Sequence, residues 1–441
     1  MDFHALSGMR DYIGAPSEDL RTVINIASDL FQSAGFREIE TPIMEDARLF
    51  DRSLGSASDI VSKEMYTVEQ SGDRIIALRP ENTAGVVRAV NQHSLMANRN
   101  QLKLFYAGSM FRHERPQSGR YRQFHQVGVE VFGRSDPVID AEIVHLGAEF
   151  LERCGLNDVV CLVNSIGNLE EREQYKKELV GALDPYREEL SDDDRRRLEE
   201  NPLRVLDSKD ETCQQICEDH APSIRDYLGN ETRQHFESVL EYLDDLGVTY
   251  ELDDTLVRGL DYYSRTTFEL VSEDLGAQDA LCGGGRYDGL SEVLGGDPCP
   301  AIGFAAGLER IMMLRDRFES EDLDTSVDCY LVPFDEESHR ELLSLLPELR
   351  TIQHPQQQRS VSVELGDPGD SLRSQLRRAN RYRSAVTLLL GSDERENNEI
   401  SLKRMDTGDQ RTLDYPPAEK LFDQIKGTLL DVDPEEIASA N

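Results

Sequence analysis

The chain has 441 residues, 38% of them hydrophobic, and its 85 acidic residues outnumber its 48 Lys and Arg to give a formal net charge of −37. A run of about 18 apolar residues, which a membrane-spanning helix needs, is absent, and so are the basic and apolar stretches of a secretory signal. The length predicts roughly two to four domains. The seven scattered cysteines indicate a reducing compartment, so we expect a cytoplasmic protein without a disulfide framework or a membrane partner.

The basic residues are 40 Arg and 8 Lys. A lysine-poor, strongly acidic chain is typical of a high-salt, haloarchaeal-like cytoplasm, where an anionic surface keeps proteins soluble despite screening. The alternative is an ordinary acidic protein that avoids nucleic acid, since net charge alone disfavours such a partner.

The first predicted elements surround a pair of strands. Apolar residues at helical spacing predict a helix that begins at Pro16, with Ser17 as a candidate cap, and ends at Gly35. Residues 36–42 precede a proline and are predicted to be extended. Leu102–Arg112 and Phe124–Phe132 read as two strands joined by a polar loop, and residues 135–153 follow as an amphipathic helix.

The chain then changes character twice. Residues 167–250 are helical in pattern and highly charged, which predicts a helical insertion between the two parts of one domain, 1–166 and 251–320. Strand patterns return after this insertion. Beyond an acidic linker, alternating strands and helices predict a small α/β domain with a largely parallel sheet at 326–430, and an acidic tail at 431–441.

The hairpin at 102–133 carries the most information about function. In its second strand Val127, Val129 and Val131 share one face, so Gln126 and Glu130 project together from the other. From Arg99 to Arg122 there are six basic residues and one acidic residue. Guanidinium groups at this density suit polyphosphate or a nucleic-acid end, and the alternative is a solvated hairpin tip.

Five segments, in order along most of the chain, resemble a known family. Phe111–Arg115 with Arg120–Gln126 resembles motif 2 of the class II aminoacyl-tRNA synthetases, in its histidyl-tRNA synthetase form. Gly35–Pro42 resembles motif 1 and Ala301–Arg310 resembles motif 3. Two further segments, Leu256–Tyr263 and Gly283–Leu290, are similar to peptides peculiar to histidyl-tRNA synthetases.

The resemblance implies a fold and an activity. The fold is an α+β catalytic domain, an antiparallel sheet flanked by helices with a helical insertion, followed by a C-terminal α/β anticodon-binding domain. The activity is histidine–tRNA ligase: L-histidine and ATP give histidyl-adenylate and pyrophosphate, and histidine then passes to the 3′ end of tRNA-His. Mg²⁺ is expected with ATP, zinc is not expected, no metal held by protein alone is expected, and the protein should be a homodimer.

The resemblance also implies roles for single residues. Glu81, Thr83 and Gln126 should bind the amino-acid end of histidine, and Glu130, Tyr262 and Tyr263 should lie around its imidazole ring. Arg112 and Arg258 should flank the α-phosphate as the catalytic pair, and Arg310 should lie along the γ-phosphate. Contacts to ATP are assigned to these residues: Arg112, Arg120, Arg258 and Arg310.

Contacts to tRNA are predicted from position. Arg115 and Gln117 in the hairpin loop are candidates for the acceptor end. Arg373, Arg377 and Arg378 are candidates for the anticodon region, because residues 371–389 contain five arginines and no acidic residue. The alternative for this second cluster is the polar face of a helix that is balanced by acidic residues elsewhere in its domain.

Other residues have competing interpretations. Cys213, Cys217 and His220 could suggest zinc, but their spacing also fits one face of a helix, and no second ligand pair is near. Tyr287 could pack or bind. Two functional rivals are the non-catalytic regulatory paralogue of ATP phosphoribosyltransferase, which typically lacks the C-terminal domain, and a synthetase-like module that senses tRNA without catalysis.

Overall fold

The computed structural model describes residues 3–55, 58, 60–69, 74–117, 119–257, 262–272, 274, 280–315, 325–356, 359–415 and 418–431. The chain divides into two compact units, Met1–Asp322 and Leu323–Asn441. No helix in these ranges is long and apolar enough to cross a membrane. The predicted linker and tail lie largely outside the described residues.

The first unit combines both kinds of element. Its helices are α1 (Ala15–Ser33), α2 (Ala47–Leu54), α3 (Thr83–Gln92), α4 (Pro137–Arg153), α5 (Leu169–Leu183), α6 (Asp192–Glu200), α7 (Glu211–His220), α8 (Asn230–Asp245), α9 (Leu290–Val293) and α10 (Leu308–Leu314). Its strands are β1 (Arg37–Glu38), β2 (Met44–Asp46), β3 (Thr67–Glu69), β4 (Ile75–Leu78), β5 (Leu102–Phe111), β6 (Gln123–Phe132), β7 (Val160–Ser165), β8 (Tyr250–Leu252), β9 (Ser264–Val271), β10 (Ala280–Arg286) and β11 (Ala301–Gly307).

The large sheet of this unit has the strand order β1-β5-β6-β11-β10-β9-β7-β8. Its pairs are antiparallel except at the two edges, where β1 with β5 and β7 with β8 run parallel. This confirms the predicted antiparallel sheet flanked by helices. A smaller sheet, β2-β4-β3, lies in the same unit.

The face of the large sheet that carries the valines packs into the main core. Val127, Val129 and Val131 have no exposed surface and lie in one apolar cluster with Phe31 of α1 and Phe150 of α4. Fully burying an aliphatic side chain contributes about 1.5–3 kcal/mol. The alternation in β6 therefore fixes which face turns to the core, and it leaves Gln126 and Glu130 on the other.

The start of α1 differs from the prediction. The helix is preceded by Gly14 as its N-cap, and Ser17 donates its backbone N–H to the carbonyl oxygen of Gly14 at 2.9 Å instead of capping. Pro16 sits within the first turn because its missing N–H is not needed there. The predicted extension of residues 36–42 is also shorter in the structure, since only Arg37–Glu38 pair as a strand.

The helices of the predicted insertion do not all stand apart from the sheet. Phe236, Val239 and Leu243 form an apolar stripe on α8, and this stripe belongs to the same core cluster as β6 and α4. Tyr175 of α5 and Cys213 of α7 belong to a second cluster, which also contains Tyr106 of β5. The last helix of the charged segment is therefore part of the main core.

The second unit has a five-stranded sheet with order β13-β12-β14-β15-β16. Its elements are β12 (Cys329–Pro333), α11 (Glu336–Leu349), β13 (Val363–Leu365), α12 (Leu372–Arg381), β14 (Val386–Leu390), α13 (Ser392–Asn397), β15 (Glu399–Arg404), β16 (Gln410–Asp414) and α14 (Ala418–Asp431).

The prediction of a largely parallel sheet in this unit is wrong for its second half. β12 pairs in parallel with β13 and β14, but β15 runs antiparallel to both β14 and β16. The connections beside β15 are short, whereas a parallel crossover requires a dozen or more residues.

Candidate active site

A cleft of about 260 Å³ opens on the large sheet, over the face opposite the valines. Its walls come from the β5–β6 hairpin, β9, β10, β11 and the start of α10, together with residues at the start of α3 and just before β9. Strands from distant parts of the chain thus bring together side chains from the segments that resemble motifs 2 and 3 and from the segments Leu256–Tyr263 and Gly283–Leu290.

Glu130 lies at the inner end, beneath the floor of the cleft, and is 1% exposed. Its Oε1 accepts a hydrogen bond from Thr83 Oγ1 at 2.8 Å, and its Oε2 accepts one from the hydroxyl of Tyr287. Burial raises the pKa of Glu130 to about 8, against the opposing effect of these two donors. A Cβ atom at Gly303 would lie 2.0 Å from Oε2, so glycine is required there to make room for the carboxylate.

Glu81 and Thr83 stand at the N-terminus of α3 and line the cleft. The Glu81 carboxylate accepts the backbone N–H of Thr83 at 2.6 Å and of Ala84 at 3.0 Å. These are the first N–H groups of the helix, which have no partner within it. Burial raises the pKa of Glu81. The carboxylate is thereby held rigidly beside Thr83, whose hydroxyl reaches Glu130.

Gln126 projects into the cleft from β6, opposite Gly108 of β5. Its Oε1 is buried and has no hydrogen-bond partner among the described residues. A buried acceptor without a partner is costly, so a donor supplied by a ligand would satisfy it.

Three tyrosines surround the inner end. The rings of Tyr262 and Tyr263 lie 4.7 Å apart, and Tyr262 meets the ring of Tyr287 edge-on at 5.6 Å. Burial, together with nearby Glu130, raises the pKa of the Tyr287 hydroxyl, so it remains a donor. The sequence left open whether Tyr287 packs or binds, and in the structure its hydroxyl donates a hydrogen bond to the Glu130 carboxylate. No local pattern could decide this, because the partner is far away in the chain.

The outer end of the cleft carries three arginines, Arg112, Arg120 and Arg310. Arg112 is held by its Nε, which donates to the carbonyl oxygen of Pro80 at 2.9 Å, and its guanidinium lies 5.4 Å from the ring centroid of Phe124. Burial and the guanidinium of Arg120 lower the pKa of Arg310. Arginines gathered this closely in a half-buried cleft favour a polyanionic ligand.

Two carboxylates face these arginines, Glu114 and Glu269. Glu114 accepts a hydrogen bond from Arg120 at 2.9 Å and lies 3.8 Å from Arg112. Across the ranges that the structure covers, no three His, Cys, Asp or Glu side chains group as metal ligands. This donor set fits Mg²⁺ that arrives with a polyphosphate, since that ion commonly uses one or two carboxylates together with phosphate oxygens.

Three of the residues predicted to contact ATP or the acceptor end of tRNA are not among the described residues that line the cleft. Arg258 falls outside the described residues. Arg115 and Gln117 are exposed in the hairpin loop, and neither of these two residues lines the cleft. Gln117 and Arg120 exchange backbone hydrogen bonds in this loop.

The second arginine cluster lies on and just after α12. Arg373 and Arg377 are exposed on this helix, one turn apart. Arg378 instead forms an ion pair with Asp370, so part of the cluster is balanced within its own unit.

The two cysteines and the histidine that could suggest zinc all lie on α7. Cys213 and Cys217 are buried on α7 among apolar side chains. The ring of His220 stacks on Tyr186 with 4.0 Å between the ring centroids.

Comparison with known proteins gives the same family for both units. The profile described as Histidyl-tRNA synthetase matches residues 8–311, and the profile described as Anticodon binding domain matches residues 328–425. The histidine–tRNA ligase of Gloeothece citriformis is 45% identical over 93% of this chain and 93% of its own length. That of Halothermothrix orenii is 44% identical over 93% of this chain and 96% of its own.

A solved structure agrees with these sequence matches. The crystal structure of apo histidyl-tRNA synthetase from S. aureus superposes with a TM-score of 0.77 at 33% identity, covering 96% of this chain and all of that one. The chain therefore belongs to the histidyl-tRNA synthetase family, within the class II aminoacyl-tRNA synthetases.

Proposed function

We propose that the chain activates L-histidine with ATP, giving histidyl-adenylate and pyrophosphate, and then transfers histidine to the 3′ end of tRNA-His. One observation carries this proposal. Three arginines line a single cleft, together with Thr83 and Tyr287, whose hydroxyls both donate to a carboxylate buried beneath the cleft floor. The carboxylate with its two donors suits an imidazole ring, and the arginines suit the phosphates of ATP.

The inner end would bind the amino acid. The Glu81 carboxylate, the Thr83 hydroxyl and the unpartnered Oε1 of Gln126 are acceptors for the α-ammonium group. Glu130 uses two of its roughly four acceptor positions for Thr83 and Tyr287, which leaves room for an imidazole N–H. Tyr262 and Tyr263 would border the ring.

The outer end would bind ATP. Arg112, fixed by Pro80, would contact the α-phosphate and the histidine carboxylate, with Arg258 on the opposite side of the same phosphate. Arg120 and Arg310 would hold the β- and γ-phosphates. Glu114 and Glu269 would hold Mg²⁺ bound with ATP, and the ion would supply positive charge to neutralise the departing pyrophosphate.

The arrangement would promote an in-line attack without covalent help from the protein. The histidine carboxylate oxygen attacks the α-phosphorus while the bond to pyrophosphate breaks. Such a reaction depends on positioning and on neutralising charge in the transition state. Discrimination would come from the ring contacts, because a site built to hydrogen-bond its substrate rejects analogues that lack the partner.

The proposed activity is tested by ATP–pyrophosphate exchange with each of the twenty amino acids, in high and low salt. We expect exchange with histidine alone. Exchange with a different amino acid, or with none while the protein is folded, would contradict the proposal.

We also propose the functional division of the chain. Residues 1–166 and 251–320 would form the catalytic domain, 167–250 the insertion, 326–430 the anticodon-binding domain, and 431–441 a tail. Exposed Arg373 and Arg377, with Arg378 beside them, would contact the anticodon region, and Arg115 and Gln117 the acceptor end.

Removal of the residues after 325 tests this division. We expect tRNA charging to fall by at least about tenfold, because the anticodon contacts are lost. Histidine-dependent exchange should stay within about twofold, since the described residues that line the cleft all lie in the first unit. The full-length chain with Arg373→Ala and Arg377→Ala is the matched control for loss of the whole domain. Loss of exchange on truncation would contradict the division.

We further propose a cytoplasmic homodimer adapted to high salt. The lysine-poor, −37 chain supports the salt adaptation. The relatives compared above are bacterial, so the comparisons give no support to a haloarchaeal origin.

If acidic surface surrounds two basic clusters, few counterions are released on binding tRNA. The slope of log Kd against log salt should then be shallower than for a basic relative, and an equal or steeper slope would contradict this.

The two rivals explain fewer of these observations. The regulatory paralogue typically lacks the C-terminal domain, whereas residues 328–425 match an anticodon-binding profile. A module that only senses tRNA has no need for arginines gathered beside a ring-binding carboxylate. The exchange assay separates both rivals from the proposal.

A further inference from the structure

A fully buried ion pair lies beneath the cleft, on the other face of the large sheet. Neither side chain of the pair Arg286–Asp140 has exposed surface. Arg286 Nη2 lies 2.6 Å from Asp140 Oδ1, and Arg286 Nε donates to Asp140 Oδ2 at 3.0 Å. Replacing a buried ion pair by apolar residues of similar volume often leaves a protein equally stable or makes it more stable. Stability alone therefore does not explain this pair, which points to a functional role.

Four elements meet at the Asp140 carboxylate. Asp140 belongs to α4 and Arg286 ends β10. His235 Nε2 of α8 lies 2.8 Å from Asp140 Oδ2, and Thr266 Oγ1 of β9 donates to the same oxygen at 2.7 Å. The guanidinium is therefore anchored to a carboxylate that is itself held from several directions, which fixes the end of β10.

The residue that follows Arg286 is Tyr287, whose side chain turns to the cleft. Its neighbours on both sides are tied down. Arg286 Nη1 donates to Asp288 Oδ1 at 3.0 Å, and Asp288 Oδ1 also accepts the backbone N–H of Ala301 at 3.0 Å. The backbone N–H of Tyr287 donates to the carbonyl oxygen of Ala301 at 2.9 Å. The backbone of Tyr287 is thus clamped to the start of β11.

We propose that Arg286, anchored by Asp140, is a positioning residue for recognition of the histidine ring. It does not line the cleft. It fixes Tyr287 so that the hydroxyl supports the Glu130 carboxylate in the orientation that an imidazole N–H needs. This inference rests on the proposed function and adds a specificity determinant on the far side of the sheet.

Arg286→Lys tests the proposal, because lysine keeps the charge but loses the planar, multidentate contact. We expect the KM for histidine in pyrophosphate exchange to rise about tenfold, the effect of one weakened hydrogen bond to a charged group, while the KM for ATP and kcat change by less than about twofold. A purely structural defect would lower the active fraction and leave the KM for histidine unchanged.

Arg315→Lys is the matched control. Arg315 also pairs with a buried aspartate, since its Nε donates to Asp19 Oδ1 at 3.0 Å, but that pair joins α1 to the end of α10, away from Tyr287. Its KM for histidine should match the unaltered protein. Equal KM values for Arg286→Lys and Arg315→Lys would overturn the inference.

A double-mutant cycle tests whether Arg286 acts through the hydroxyl of Tyr287. In a Tyr287→Phe background the supporting hydroxyl is gone, so adding Arg286→Lys should raise the KM for histidine by less than about twofold more. Full additivity would overturn the inference. Should Arg286→Lys fail to fold, His235→Asn removes one contact to Asp140, and a rise of about threefold is expected, which should also be absent in the Tyr287→Phe background.

The outcomes separate the two levels of proposal. If the unaltered protein does not exchange pyrophosphate with histidine, the proposed function fails. If it does, and Arg286→Lys behaves like Arg315→Lys, only the positioning role fails.

Discussion

Arg112→Met should slow histidine-dependent pyrophosphate exchange by about 10²–10³-fold, the usual loss when one preorganised donor to a developing charge is removed. Arg112 is fixed before substrate arrives, by its bond to the Pro80 carbonyl and by the ring of Phe124. Its contribution therefore requires little reorganisation in the transition state. The loss should appear mainly in kcat, because the α-phosphate gains its additional charge only as the reaction proceeds.

Arg99→Met provides the control for charge. Arg99 belongs to the same basic stretch and is exposed, and its guanidinium donates to the carbonyl oxygen of Leu95 at 3.0 Å. Its removal should leave exchange within about twofold of the unaltered protein. Near-normal exchange by folded Arg112→Met, judged by circular dichroism, would remove Arg112 from the reaction.

Glu130→Gln should raise the KM for histidine by about 10–100-fold and the KM for ATP by less than about threefold. The amide keeps the shape of the carboxylate but loses its charge and one acceptor. Both hydroxyl donors, Thr83 and Tyr287, then compete with the imidazole for a single oxygen. Equal increases in both constants would mean that Glu130 does not bind the ring.

The pH dependence of binding provides a second measurement on the same pair of proteins. With a pKa of about 8, Glu130 is protonated in the empty site near neutral pH. The ionised carboxylate accepts an imidazole N–H more strongly than the protonated form does, so the KM for histidine should fall as the pH rises from about 7 to 8.5, where free imidazole is already neutral. Glu130→Gln should not show this fall, and an unchanged slope would refute the assignment.

The raised pKa of Glu130 also makes the stability of the folded protein fall as the pH rises. Because the folded pKa of Glu130 lies above its usual value, its favourable contribution is complete below the unfolded pKa. That contribution is lost as the pH rises through about 8. Relative to Glu130→Gln, the unaltered protein should become progressively less stable to denaturant between about pH 5 and 9 in the absence of substrate.

The sequence predicted those parts of the site that depend on local pattern. Alternation in β6 placed Val129 in the core and Glu130 on the opposite face, because neighbouring strand residues must point to opposite sides. The basic stretch likewise predicted that Arg112 and Arg120 would face an anion, and both line the cleft.

What the sequence could not predict depends on distant partners. The hydroxyl of Tyr287 meets Glu130 only because β10 and β6 are separated by a single strand, β11. The meeting of Asp140, His235 and Arg286 similarly requires the packing of α8 on α4. The antiparallel half of the second sheet was missed because β16 has no buried residue and therefore lacks the alternation of apolar and polar residues that indicates a strand.

The packing of α8 has a consequence for engineering. The helix supplies Phe236, Val239 and Leu243 to the main core and His235 to the buried carboxylate, so it folds cooperatively with the sheet although it ends the charged segment. A chimaera that exchanges this segment with that of a relative should therefore be joined before Asn230, leaving residues 230–245 with the recipient. A junction after Asp245 would import a helix shaped for a foreign core, and hydrogen exchange across β7 and β9 should then accelerate.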